Sequence, residues 1–172
     1  MHYGLLIYEC VRHVPCSRSK SSRKGSKRAQ KLSSPKSLEQ KELTMTIQLH
    51  NPAGIAPPFS CYSHGASVPA DARWLYVSGQ VGVTTDGIVP DDPVKQIELA
   101  WDNLLAVLAD AGMGVTDLVK VDGFITRPDL VPHYRKERER RVAGHAAATT
   151  MVIVAGLAEP NLLVEIQAVA AR

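Results

Sequence analysis

The stretch from Leu162 to Ala170 constrains the fold more than any other part of this 172-residue chain. Read as a strand, it puts Val164, Ile166, Ala168 and Ala170 on one face and Leu163, Glu165, Gln167 and Val169 on the other. The first set suits a covered core. The second sets a carboxylate and an amide in the middle of an apolar strand, where burying an unpaired charge is costly. Glu165 and Gln167 must therefore face water, a partner subunit or a ligand.

Two segments can cover the apolar face of such a strand. Asp91-Asp92-Pro93 opens the first helix, because Asp caps free N–H groups and Pro fits the first turn. Val94, Ile97, Trp101, Leu104 and Leu108 then recur at spacings of three and four, and Gly112 ends the run. Leu130–Val142 reads as a second helix, highly charged through Arg135, Lys136, Arg138, Arg140 and Arg141. Phe59–Val68, Arg73–Val83, Leu118–Thr126 and Thr149–Leu157 are apolar, with aromatic and β-branched residues, and read as further strands. Asp86-Gly87 signals a hairpin turn between Val83 and a short strand at Ile88. The predicted class is α+β, with two helices on one face of a single mixed sheet.

Charge divides the chain at residue 45. Residues 1–44 hold ten Lys/Arg against three acids, whereas the remainder holds ten against fourteen, so the basic balance belongs to the first segment. No nucleic-acid partner is expected of the folded part. The Ser- and Lys/Arg-rich segment is expected to lie outside the fold as an extension. Two readings of it compete, a transit peptide and upstream sequence ahead of a natural start at Met45; the direct run of Met45 into the domain favours the second. Cys61 is the only cysteine after residue 44, which gives no disulfide framework, and no Cys/His spacing resembles a zinc site. No apolar run approaches a membrane span, and a cytoplasmic location is expected.

An ordered set of short motifs resembles the RidA/YjgF family. It comprises Tyr62-Ser63-His64, Val77-Ser78-Gly79-Gln80, Asp86-Gly87, Gln96 with Asn103, Ala111-Gly112 and the closing Val164-Glu165-Ile166-Gln167-Ala168 strand. The resemblance spans residues 55–172. It implies a chorismate-mutase-like fold assembled as a trimeric barrel, with clefts between subunits. It also implies hydrolysis of reactive enamines and imines to keto acids and ammonia, with no metal or organic cofactor and a small-molecule substrate or ligand as partner.

The same resemblance puts Glu165 at the catalytic, water-orienting position and Tyr62 and Ser78 at cleft-lining ones. One departure stands out. Where active relatives carry a carboxylate-binding Arg, this chain has Thr149, followed by Thr150, and Met151 replaces the neighbouring Cys of many relatives. Arg135 stands where such relatives often carry Asn. This departure resembles an Arg-less branch of the family that commonly carries a Tyr-Arg-x-x-Arg run, here Tyr134-Arg135-Lys136-Glu137-Arg138. Three readings stay open: Arg135 or Arg138 replaces the missing guanidinium, the substrate differs, or a ligand-binding trimer has lost catalysis.

Each candidate has a plainer reading. Arg135 and Arg138 compete with an ordinary solvated helix face, and Glu165 with a subunit-interface hydrogen bond. Thr149 and Thr150 can hydrogen-bond a bound oxygen but cannot replace a bidentate cation. His64 is expected to be a hydrogen-bonded structural histidine, and Gln96, Asn103 and Trp101 are expected to be structural.

Overall fold

The computed structural model describes residues 46–172. The expectations for residues 1–44 and a start at Met45 lie outside the described residues. Six strands and two helices follow one another as β1 (Gln48–His50), β2 (Gly65–Ser67), β3 (Trp74–Val81), α1 (Pro93–Asp110), β4 (Leu118–Ile125), α2 (Val131–Val142), β5 (Ala148–Ile153) and β6 (Val164–Ala171). Four strands form the main sheet in the order β3-β6-β4-β5. Only the β4–β5 pair is parallel, so the sheet is mixed as expected.

The closing strand behaves as its alternation requires. Val164, Ile166, Ala168 and Ala170 are buried, while Glu165, Gln167 and Val169 are not. Their cover is α1, which lays Ile97, Ala100, Trp101, Leu104 and Leu108 against them. Local chemistry sets its ends. An Asp92 carboxylate oxygen accepts from the Val94 N–H at 2.9 Å, and Pro93 occupies the first turn. Gly112 takes φ +66°, which lets Met113 N–H return to the Leu108 carbonyl at 2.8 Å. Val94, placed in the same stripe, stays exposed at 38% in the first turn of the helix.

Other expectations need correction. The run Phe59–Val68 is not one strand: Gly65–Ser67 pairs with β1 as a separate two-stranded ribbon, and Ser63 alone bridges to Ala148. Pro57 and Pro58 cannot donate to a ladder, and the Tyr62 N–H turns back to the Ser60 carbonyl at 2.9 Å. The turn at Asp86-Gly87 forms, with Thr84 N–H bonded to Ile88 O at 2.9 Å and Gly87 at φ +84°. No strand follows it, since Pro90 and Pro93 interrupt the return. β5 ends at Ile153 rather than Leu157, and a 3₁₀ turn over Pro128–Leu130 precedes α2.

The face of the sheet away from the helices is uncovered. It presents Trp74 stacked on Tyr76 at 6.4 Å between ring centres, with Tyr76 74% exposed, and exposed Val152 at the opposite edge. Lys120 pairs with Asp122 at 2.8 Å in its middle and also reaches the Thr150 hydroxyl.

Candidate functional site

The charged run of α2 sorts into two groups. Arg140 and Arg141 both bind Glu137, and Arg141 also reaches Asp102 on α1. The Arg140 hydrogen bond, with Arg141 beside it, holds the Glu137 carboxyl down at about 2 from an ordinary 4.5. A depressed carboxylate contributes stability above its unfolded pKa and loses it as pH falls toward the folded one. Glu137→Gln is therefore expected to lower the urea midpoint at neutral pH, with the gap to wild type closing between pH 4.5 and about 2.

Arg138 belongs to the other group. Tyr134, Arg138 and Val142 lie four residues apart and form the buried stripe of α2. Burial raises the Tyr134 phenol above its usual pKa. Arg138 is only 4% exposed. Its Nη2 donates to the Ser60 hydroxyl at 2.9 Å, its nearest carboxylate is Glu139 at 3.9 Å, and its buried Nε has no hydrogen-bond partner. A buried guanidinium so poorly compensated is costly, and an anion placed against it removes much of that cost.

The space against it is an open cleft of about 170 Å³ lined by Phe59, Ser60, Tyr62, Arg135, Arg138, Thr149 and Met151. Two guanidinium groups and no carboxylate line it. Strand register explains the β5 contribution: Thr149 and Met151 pair with Val121 and Gly123, so they point to the helix side of the sheet at its edge. The Thr149 hydroxyl donates to the Ala147 carbonyl at 3.1 Å. The Tyr62 ring stands edge-on to His64 at 5.9 Å, and its hydroxyl accepts from the Phe59 N–H at 3.4 Å. Among the sequence candidates, the fold thus brings Tyr62, Arg135, Arg138 and Thr149 together. Phe59, Ser60 and Met151 join them, and composition alone did not single these three out for the cleft.

Glu165, Ser78 and Thr150 lie elsewhere. Glu165 pairs with Val81 and Phe124 on the uncovered face, and Thr150 pairs with Asp122 on that same face. The register of β3 against β6 slips between Val77 and Gln80, which leaves Ser78 and Gly79 as an irregularity opposite Gln167. Gly79 is there for space: a Cβ on it would sit 1.7 Å from Glu165 Oε1. Because the clash is with the far end of a flexible side chain, Gly79→Ala is expected to keep the fold and the melting temperature while displacing the carboxylate; thermal unfolding alongside an activity assay checks both. Within one chain, the sheet stands between Glu165 and the cleft.

Gln96, Asn103 and His64, read as structural, are hydrogen-bonded within the chain. Gln96 Nε2 donates to the carbonyls of Pro90 (2.8 Å) and Asn161 (2.9 Å), and its Oε1 accepts from Leu163 N–H at 2.9 Å. Asn103 donates to the Val81 and Val83 carbonyls at 3.0 Å each. The His64 ring bonds the Ala56 carbonyl at 2.8 Å. Among the described residues, no group of three or more His, Cys, Asp or Glu is placed to hold a metal, and no helix is long and apolar enough to cross a membrane.

A mixed sheet under two helices is the architecture of the YjgF-type, chorismate-mutase-like fold. The family model described as Endoribonuclease L-PSP matches residues 54–172. This chain belongs to that family, the RidA/YjgF group. It is 38% identical over 78 residues to the RutC family protein YjgH of Escherichia coli, a match covering 45% of this chain and 59% of that one. The chain thus spans little more than half of that relative. The conserved Rid-family protein YyfB of Yersinia pestis superposes with a TM-score of 0.69 at 27% identity, covering 74% of this chain and all of that one. TdcF of Escherichia coli, solved with bound serine, gives 0.55 at 29% identity over 69% and 90% of the two chains.

Proposed function

We propose that this protein is a RidA-like hydrolytic deaminase, cytoplasmic and cofactor-free, that converts reactive enamine and imine acids to keto acids and ammonia. The observation that carries the reading is the buried, undercompensated Arg138 guanidinium against a cleft that no carboxylate lines. It supplies, from α2, the carboxylate-binding cation that Thr149 cannot.

In this reading a homotrimer buries the uncovered sheet faces, with Trp74, Tyr76 and Val152 among the buried groups. One subunit's Glu165 and Ser78 then stand against the neighbour's cleft. Arg138 holds the substrate carboxylate, Tyr62 and Thr149 line the cleft beside it, and Thr150 borders it from the subunit interface. An enamine first shifts to its imine tautomer. Glu165 orients a water and takes one of its protons as the oxygen adds to the C=N carbon. That proton goes to nitrogen to give a carbinolamine; its hydroxyl proton then passes to nitrogen as the C–N bond breaks, so that ammonia leaves and the carbonyl forms. Such a site depends on assembly, and a monomer by light scattering contradicts it.

Thr149 itself favours a second reading, a non-catalytic trimer that binds small acids in the same cleft. The two part on one experiment. The full chain is added to 2-aminoacrylate generated in situ by a dehydratase, and keto-acid release is followed. Acceleration in proportion to protein concentration supports deamination. Release at the uncatalysed rate, at concentrations that saturate a stable keto acid, leaves the binding reading.

A further inference from the structure

The cleft offers more positive charge than a single carboxylate can use. Of the basic residues on α2, Arg140 and Arg141 are bound to acids of the chain, whereas the two lining the cleft are not comparably paired. Arg138 has only Glu139 at 3.9 Å, and Arg135, exposed at the mouth, shows no ion pair among the described residues. The two differ in setting. Arg138 is buried and held by Ser60, a fixed cation at the floor. Arg135 lies three residues earlier on the same helix face, one turn away, and is exposed at the cleft.

We propose that the cleft is selective for dicarboxylate ligands, an α-imino or α-keto diacid, with Arg138 binding one carboxylate and Arg135 the other. This rests on the reading of the cleft as the acid-binding site, but not on catalysis. A monoacid compensates the buried cation and leaves the outer one in solvent. A diacid of a few carbons engages both, and the remaining walls suit its chain: Phe59 and Met151 are apolar, while Tyr62 and Thr149 offer hydrogen bonds. Because no acidic side chain lines the cleft, nothing there repels the second carboxylate.

The test is calorimetric titration of the full chain with 2-oxobutanoate and with 2-oxoglutarate at matched ionic strength. The diacid is expected to bind about tenfold more tightly, the effect of one added charge-assisted contact. Arg135→Gln, an exposed change that leaves the packed stripe of α2 intact, is expected to shrink the ratio to within about twofold. Arg138→Lys is expected to weaken both ligands. Equal affinities in the wild type, a ratio that survives Arg135→Gln, or inorganic phosphate competing as well as the diacid would each overturn the proposal. Failure of the hydrolase reading looks different: the diacid preference persists while neither class of imine is turned over.

Discussion

Trp101→Ala is expected to destabilise the protein by about 3–5 kcal/mol, the usual cost of emptying a large aromatic site. Trp101 is fully buried on the inner stripe of α1, beside Tyr134 of α2 at 6.5 Å between ring centres. It therefore packs in the core shared by the two helices and the sheet. Its indole N–H has no acceptor, so its contribution comes from packing and apolar burial alone. Urea denaturation checks this through the midpoint, with an unchanged slope showing that only stability moved. A loss below about 1 kcal/mol would mean that the core closes around the cavity and that the helices are held by other contacts.

Glu165→Gln is expected to reduce imine hydrolysis by about 10²–10³-fold, in the range of a positioned general base. The amide keeps the size and hydrogen-bonding reach of the carboxylate but cannot accept the water's proton. Affinity for a stable keto acid is expected to hold, since the cleft's cations are untouched. Steady-state kinetics with the in situ substrate, beside a binding isotherm, separate the two effects. A parallel fall in affinity would instead make Glu165 an assembly residue, because loss of the subunit contact would open the cleft.

What the sequence made legible was local. Asp92-Pro93 and Gly112 mark the ends of α1 by hydrogen bonds within a few residues, and the stripe between them is periodic. The alternation of β6 likewise separates its faces without knowledge of any partner. Illegible features depend on distant pairing. β1 is only three residues long and exists because β2 accepts it, so nothing in Gln48-Leu49-His50 announces a strand. The apolar run at Phe59 has the composition of a ladder strand, although Phe59, Ser60 and Tyr62 form a wall of the cleft instead.

The site shows the same division. Arg135 and Arg138 were equal candidates by composition, and helix rotation separates them. The signal was present in the spacing of Tyr134, Arg138 and Val142, which puts Arg138 on an apolar stripe where a solvated arginine does not belong. The opposition of Glu165 and Thr149 across the sheet could not be read this way. It follows from the registers of β4 with β5 and of β4 with β6, which no single segment encodes.

The most direct test of the cleft as the binding site uses the methionines as reporters. The chain has four, of which Met151 lines the cleft and Met113 is packed in the core. With ¹³C-methyl methionine in the full chain, titration with 2-oxoglutarate is followed by NMR. The account predicts that the Met151 methyl resonance shifts and saturates while Met113 stays in place, and that Arg138→Lys raises the concentration required. Saturable binding by calorimetry with Met151 unmoved would contradict it and put the ligand elsewhere on the protein.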